Sequence, residues 1–228
     1  MDTNVMRVRL TFTESILGTL PNNKDLMRDF IASKAPDANT IEDEIEAIGA
    51  DDVIEKGMTV FPRMEDGTPF IYDYQIKGFF KDTCSGLSRL TKKTKNADGK
   101  TTKKPCNESG KLTAFKKVID KLIFPEPREI PIHFEGEIGN CQRPLRAQTA
   151  QGERVALANS EEIPKGATIE FNIKYFDSDH EAVIREWLDY GIYSGIGQWR
   201  NASHGRFVWD ELDEKGNVIG GNNLYSKK

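Results

Sequence analysis

The alternation of apolar and polar residues predicts β-strands in several stretches of the chain. From Val5 to Phe12, apolar side chains stand near every second position with arginines between them, which is typical of a strand with one buried and one wet face. The same alternation is clearest in ATIEFNIKYF at residues 167–176. Further strands are predicted at EIPIHFEG (129–136), CQRPLRAQT (141–149), RVALAN (154–159) and GRFVW (205–209).

A second pattern, with apolar residues at helical spacing, predicts helices elsewhere in the chain. Spacing of this kind occurs in residues 24–35, 41–48, 74–90, 111–124 and 179–190. Gly78 and Gly86 lie inside the third of these helices and are expected to mark close packing. A hairpin is predicted over residues 58–74, because Asp66-Gly67 is a strong turn signal. Strands and helices in this mixture indicate an α+β fold.

Composition narrows the class of protein. The chain has 228 residues, 37% hydrophobic and 30% charged, and this balance suits one soluble domain with a real core. We expect that domain to span residues 1–212, followed by a flexible tail at 213–228. No apolar run approaches the roughly 20 residues that span a bilayer, and no signal peptide is visible, so we expect a cytoplasmic protein without a membrane partner. Three cysteines without C-x-x-C spacing favour reduced thiols, and neither a metal nor a cofactor is expected.

Charge is distributed unevenly along the chain, although the formal net charge is only −4. Every ionisable residue from Asp37 to Glu55 is acidic. Between residues 91 and 110 the sign reverses, and we predict a mobile insertion loop there. Its basic residues are Lys92, Lys93, Lys95, Lys100, Lys103 and Lys104. Flexible lysines neutralise phosphates without reading sequence, whereas the alternative function of such a loop is only to keep the surface soluble.

The most distinctive candidate site is a glycine-rich turn between residues 195 and 207. Closely spaced glycines allow backbone N–H groups to approach an anion, and arginines offer forked donors to phosphate oxygens. A tryptophan there can present a flat face to a base. The alternative interpretation is a tight helix-to-strand connection with a buried tryptophan and solvated arginines. The candidate residues are Gly195, Gly197, Trp199, Arg200, Asn201, His204 and Arg206.

A second candidate surface is the basic face of the helix predicted at 74–90. Lys77 and Lys81 are four residues apart and therefore share one side of the helix, near the end where free N–H groups favour an anion. The basic run continues through Arg89 into Lys92 and Lys93. The alternative is an ordinary solvated face. Arg143 and Arg146 are weaker candidates for the same surface.

Catalytic motifs are missing from the sequence. There is no G-x-S-x-G, Walker loop, H-E-x-x-H or calcium loop. The acidic residues 42–52 offer carboxylates to a divalent ion, but they are more simply the wet side of a helix. Cys84 stands at helical spacing among core residues and is expected to be a small hydrophobe rather than a nucleophile. We therefore expect a protein that is not an enzyme.

Two segments resemble the RAMP superfamily, the CRISPR-associated RNA-binding proteins that include backbone subunits of effector complexes. Ile76-Lys77-Gly78 matches the end of the family motif at the first helix, although Tyr74-Gln75 stands where the family has small residues. The late turn matches in type and order at Gly195, Gly197, Arg200, Gly205 and Arg206. The resemblance implies a ferredoxin-like, RRM-like antiparallel sheet with helices on one face and long insertions. It also implies that both segments contact a nucleic-acid backbone.

Three hypotheses follow for the function. The first is a non-enzymatic protein that binds single-stranded RNA or DNA through the glycine-rich turn, the basic helix and the lysine loop. The second is a phage-type interaction protein that sequesters a small nucleotide or blocks a host factor. The third is a structural protein that assembles into a homo-oligomer through exposed strand edges.

Overall fold

The computed structural model describes residues 3–22, 58–95, 101–149 and 152–223. Over these residues the chain forms fourteen strands, three α-helices and two short 3₁₀ turns, so the fold is α+β with mostly antiparallel sheets. The helices predicted at 24–35 and 41–48, and the acidic segment, lie outside the described residues. In the described part of the chain no helix is both long and apolar enough to cross a bilayer.

A seven-stranded antiparallel sheet forms the centre of the molecule. Its strands are β1 (Asn4–Phe12), β5 (Phe70–Tyr72), β8 (Ile123–Glu126), β9 (Glu129–His133), β12 (Thr168–Tyr175), β13 (Phe207–Leu212) and β14 (Val218–Gly221). They lie in the order β14-β13-β1-β12-β9-β5, and β8 also pairs with β12. The longest pairing joins β1 to β12, from Asn4 opposite Tyr175 to Thr11 opposite Thr168.

Two smaller sheets are attached to this one. The first contains β2 (Ile16–Leu17), β3 (Leu20–Pro21), β4 (Thr59–Val60), β10 (Gly139–Thr149) and β11 (Gly152–Ile163). In it, β10 and β11 form a long hairpin. The second is a two-stranded hairpin of β6 (Thr91–Lys95) and β7 (Thr101–Pro105). We call it the lysine hairpin.

Helices cover one face of the central sheet. They are α1 (Asp73–Leu87), α2 (Phe115–Leu122) and α3 (His180–Asp189), with 3₁₀ turns at Tyr190–Ile192 and Arg200–Ala202. The chain runs from β1 through α1 to β8 and β9, and from β12 through α3 to β13. In α1 and α3, the buried aromatics Phe80 and Trp187 lie with their ring centroids 5.2 Å apart. Burial of such large apolar rings is the main force that holds these helices on the sheet.

Alternation along β1 and β12 explains why these strands lie at the centre. Every second residue of β12, beginning at Ile169, is buried as the sequence predicts. In β1 the buried series begins at Met6, whereas Val5 is 55% exposed. The outward side chains include Arg7 and Arg9, which form ion pairs with Glu170 at 3.0 and 2.7 Å. Burial acts to raise the pKa of Glu170, but the hydrogen bonds from these arginines outweigh it and hold that pKa below its usual value.

Several predictions about local structure are wrong. Residues 91–95 and 101–105 pair as strands rather than forming a loop, because threonines favour extended backbone. The helix predicted from Lys111 begins at Phe115, after Ala114 adopts a left-handed φ of 51°. An added Cβ at Gly78 or Gly86 would meet no heavy atom within 4 Å, so neither glycine marks close packing.

The predicted flexible tail also contains ordered structure. Residues 218–221 form β14 and pair with β13, so the sheet continues past Leu212. The side chain of Asp213 accepts hydrogen bonds from the backbone N–H groups of Lys215 and Asn217, both at 2.8 Å. Short polar side chains close turns in this way, and the Gly- and Asn-rich composition here marks a turn between strands. Residues 224–228 lie outside the described part.

Candidate nucleic-acid interface

A groove of about 550 Å³ lies between the exposed side of α1 and the glycine-rich turn. We call it the helix groove. It brings together residues more than 100 positions apart in the sequence. Gly78, which has no side chain, forms part of its wall. Its lining residues are Thr19, Tyr74, Gln75, Gly78, Phe79, Lys81, Asp82, Ser85, Lys116, Gly195, Ile196, Gly197 and Arg200. The α1 face and the glycine-rich turn, the two candidate segments of the sequence, therefore lie on one groove.

Two glycines of the turn allow one backbone segment to cross another. An added Cβ on Gly195 would lie 2.1 Å from the carbonyl oxygen of His204, and one on Gly205 would lie 1.9 Å from that of Ile196. The Ile196 N–H donates to the Gly205 carbonyl at 3.0 Å across this crossing. Both glycines are buried, so their role is to hold the shape of the turn. Gly197, with φ of 92°, is partly exposed and lines the helix groove.

The aromatic residue of the turn already has partners within the chain. The Trp199 ring stacks on the His204 ring, with centroids 5.1 Å apart and an interplanar angle of 14°. The guanidinium of Arg143 lies 5.0 Å from the centre of the same Trp199 ring and donates to Gln198 at 2.7 Å. Trp199 has a φ of 52°, which costs a bulky residue about 1–2 kcal/mol. The stack stabilises this conformation and takes one face of the ring that the sequence assigned to a base, while the Trp199 side chain remains 42% exposed.

A histidine contact ties the turn to the start of the chain. His204 Nδ1 lies 3.0 Å from Ser15 Oγ, and that hydroxyl donates its proton to a Glu162 carboxylate oxygen. Because the serine proton is directed to the carboxylate, His204 must donate from Nδ1. The serine therefore bridges the other two side chains, whereas a hydrolytic triad places the histidine in the middle. These contacts position the turn and do not form a nucleophile.

One ion pair connects the turn directly to α1. Arg200 Nη1 lies 3.0 Å from Asp82 Oδ2, and both side chains remain more than a third exposed. Pairs this exposed contribute only about 0–1 kcal/mol to stability. Arg200 therefore keeps much of its capacity to attract an anion. Asp82 was not a candidate in the sequence, because nothing local distinguishes one carboxylate on an exposed helix face.

A second groove, also about 550 Å³, begins on the other side of this ion pair. It shares Asp82, Ser85 and Arg200 with the helix groove, so the two grooves adjoin along α1. We call it the arginine groove. Its lining residues are Asp82, Thr83, Ser85, Gly86, Arg89, Tyr190, Tyr193, Ser194, Arg200, Asn201 and Arg206. Four predicted site residues meet there: Arg89, Arg200, Asn201 and Arg206.

The two lysines predicted to share a helix face have different environments. Lys81 lines the helix groove and forms a 2.6 Å ion pair with Asp120 of α2. Lys77 lines neither groove, and its Nζ lies 4.5 Å from the centre of the Phe124 ring. A cation over an aromatic face gains about 0.5–1 kcal/mol at such a site. The structure therefore places Lys81, but not Lys77, with the glycine-rich turn.

The lysine hairpin follows α1 and carries positive charge on both of its faces. Its register sets Lys92 opposite Lys104 and Lys93 opposite Lys103. All four side chains are exposed, and like charges placed directly opposite each other destabilise a strand pair. A polyanion that neutralised these charges would remove that repulsion.

The base of the hairpin is fixed to the helices. Asn107 Nδ2 donates to the Leu87 carbonyl at the end of α1 at 2.7 Å. The Glu186 carboxylate accepts from the backbone N–H groups of Glu108 and Ser109 at 2.9 and 2.8 Å. Trp187 Nε1 donates to the buried Ser109 hydroxyl at 2.9 Å. These hydrogen bonds therefore hold the base of the lysine hairpin to α1 and α3.

Other site residues give little or no signal in the sequence. Lys116 lines the helix groove, and its only local signal is its position beside another lysine in a short amphipathic helix. Tyr190 and Tyr193 line the arginine groove, and Tyr193 is 64% exposed. Exposed aromatics just before a glycine-rich turn are a usable signal for base stacking.

Comparisons with known proteins concern the fold. No protein-family model matches this sequence, and no curated protein matches it either. The fold is similar to that of a chain in the cryo-EM structure of the Type III-B Cmr-beta bound to cognate target RNA, with a TM-score of 0.50 at 11% identity. The match covers 92% of this chain and 59% of the other, so this chain spans less than two thirds of its structural neighbour. At this identity the likeness shows the fold alone.

Proposed function

We propose that this chain binds single-stranded RNA along α1, in the helix groove and the arginine groove, without catalysing a reaction on it. The observation that carries the proposal is the meeting of α1 and the glycine-rich turn in one groove. Its lining includes the cations Lys81, Lys116 and Arg200 and the carboxylate of Asp82. With Asp120, which pairs with Lys81 from outside the lining, three cations stand against two carboxylates. Local potential decides what a surface attracts, so this excess of positive charge favours a phosphate backbone despite the negative net charge.

Exposed aromatic side chains at the two ends of α1 support a nucleic-acid ligand. Tyr74 lines the helix groove and is 52% exposed, and Tyr193 lines the arginine groove. Bases stack on such rings whatever their sequence. The grooves therefore combine cations for phosphates with aromatic faces for bases, as non-specific single-strand binding requires.

The strand order supports a ferredoxin-like core and the resemblance to the RAMP superfamily. The four strands β13, β1, β12 and β9 are antiparallel neighbours, joined through two β-α-β crossovers by α1 and α3. The structural neighbour belongs to a complex bound to target RNA, which favours RNA over DNA.

The open face of the sheet differs from that of an RRM. RRM domains stack bases on aromatics of the central strands. In β1 and β12 the outward side chains include no aromatic residue, and Arg7 and Arg9 are paired with Glu170. For this reason we place the RNA in the grooves along α1 rather than on the sheet.

Binding of labelled single-stranded RNA and DNA, measured by fluorescence anisotropy at several salt concentrations, tests the proposal. Each neutralised phosphate contributes about −0.7 to the slope of log K against log salt for a single strand, so the three cations of the helix groove predict a contribution of about −2 to that slope. Lys116→Gln should weaken binding and flatten the slope. Lys165→Gln, an exposed lysine that lines neither groove, is the matched control.

The alternatives predict other results. Failure to bind any strand at low salt would refute the proposal. Thermal stabilisation by small nucleotides but not by oligonucleotides would select the nucleotide-sequestering hypothesis. An ordered oligomer in light scattering, indifferent to nucleic acid, would select self-assembly.

A further inference from the structure

The arginine groove has an excess of positive charge at one point on the path proposed for RNA. Three guanidinium groups, Arg89, Arg200 and Arg206, line it together with one carboxylate, Asp82. Asp82 is paired with Arg200. Among the described residues, no carboxylate lies within ion-pair distance of Arg89 or Arg206. The groove therefore carries two positive charges that are not balanced by its own residues.

Two buried polar atoms in the same groove have no hydrogen-bond partner among the described residues. They are the Thr83 hydroxyl and the Nε of Arg206. Thr83 is only 2% exposed. Buried polar groups in folded proteins are nearly always hydrogen-bonded, because an unsatisfied one costs about 1–3 kcal/mol. Both atoms are enclosed, but both residues line the groove, so a shift of these side chains would present the two donors to the acceptor oxygens of a ligand there.

We propose that the arginine groove binds the terminal phosphate of an RNA strand. A terminal phosphomonoester carries about −1.5 to −2 charges and three acceptor oxygens, whereas an internal phosphodiester carries only one charge. The two unbalanced guanidinium groups match the charge of a terminal phosphomonoester more closely than that of an internal phosphodiester. Guanidinium forks also suit phosphate geometry. The inference rests on the proposed function, because the phosphate arrives on the RNA that follows α1.

The groove also has room for the nucleoside attached to that phosphate. Its volume of about 550 Å³ lies within the range of ligand pockets in general. Tyr193, 64% exposed on the wall of the groove, offers a face on which the terminal base can stack. Asn201 adds amide hydrogen-bonding groups at the rim. The arginine groove therefore fits a terminal phosphate together with the nucleoside attached to it.

The test compares three RNAs of one sequence that carry a 5′-phosphate, a 3′-phosphate or hydroxyls at both ends. We expect one phosphorylated RNA to bind about tenfold more tightly than the hydroxyl-ended RNA, as one charge-assisted contact predicts. If all three bind with equal affinity, the inference is wrong and the proposed function stands. If none binds, both are wrong.

Substitutions inside and outside the arginine groove test which residues bind the terminal phosphate. Arg89 is exposed, so Arg89→Gln should fold normally and reduce the phosphate-dependent affinity ratio to about twofold or less. Thr83→Val should also reduce this ratio while raising Tm, because it removes a buried hydroxyl that lacks a partner. A merely structural threonine would not produce both changes. Arg128→Gln removes an arginine that lines neither groove and should preserve the ratio. A ratio unchanged by Arg89→Gln would overturn the assignment.

Discussion

Gly78 provides the sharpest test of the helix groove, because stability and binding should respond to its substitution in opposite directions. It lies in the interior of α1, and an added Cβ would meet no heavy atom within 4 Å. Glycine in such a position destabilises a helix by about 0.5–1 kcal/mol relative to alanine. No contact within the described fold offsets that cost, and the one structural consequence of the missing side chain is a wider groove.

The expected changes in stability and in RNA binding follow from the position of Gly78 inside the helix and from the open space beside it. Gly78→Ala should stabilise the fold by about 0.5–1 kcal/mol, which raises Tm by about 1–4 °C for a chain of this size. If RNA passes close to the helix backbone, each added methyl or methylene narrows its path. Overpacking costs about 1–3 kcal/mol, so Gly78→Leu should weaken RNA binding by about tenfold and Gly78→Ala by less.

Calorimetry and fluorescence anisotropy on the same preparations give both quantities. Lys77→Leu is the matched control, because it places the same side chain one position away, at a residue that lines neither groove. It should weaken binding less than Gly78→Leu does. If Gly78→Leu raises Tm and binds RNA as tightly as the wild type, then RNA does not pass along this face of α1 and the reasoning fails.

Two further predictions concern the lysine hairpin and the core. Replacing the facing pair Lys93 and Lys103 with glutamine should reduce the salt slope of RNA binding by about 1.4, at about 0.7 per phosphate contact, and an unchanged slope would show that the hairpin does not contact RNA. In the core, burial, followed by the charge and hydrogen bond of Glu181, raises the pKa of Tyr175 from 10.0 to about 12. The neutral phenol therefore contributes stability that is complete below pH 10 and is lost as pH rises through 12. Urea unfolding across this interval should show the wild type losing stability relative to Tyr175→Phe, whereas parallel curves would contradict the prediction.

Much of the central fold follows from local pattern. The alternation in β12 and the helical spacing in α1 and α3 depend only on which side chains face the core, and periods of 2 and 3.6 residues are visible in any stretch of sequence. The pattern does not locate the first buried residue of β1, because Val5 and Met6 are both apolar. Only pairing with the neighbouring strands decides which of two adjacent apolar residues turns inward.

Composition predicted the wrong conformation where local signals conflicted. The lysine-rich segment reads as unstructured because it has almost no apolar residue, and the end of the chain because it is rich in Gly, Asn and Lys. In the structure their strands are held by backbone pairing to a partner strand and by turn side chains such as Asp213. Backbone hydrogen bonds carry no side-chain signature, so a polar strand is hard to distinguish from a loop.

The sequence alone determined which chemical groups this protein has for a phosphate-bearing ligand: arginines and glycines in one late turn, and a basic stretch at the end of α1. Only the tertiary structure decided which of them act together. It placed Lys77 against Phe124, stacked Trp199 on His204, and brought Arg206 into one groove with Arg89, more than 100 residues away in the sequence. The reason is that charge and hydrogen-bonding capacity belong to each residue type, whereas a groove and its unpaired groups exist only after distant segments pack against one another.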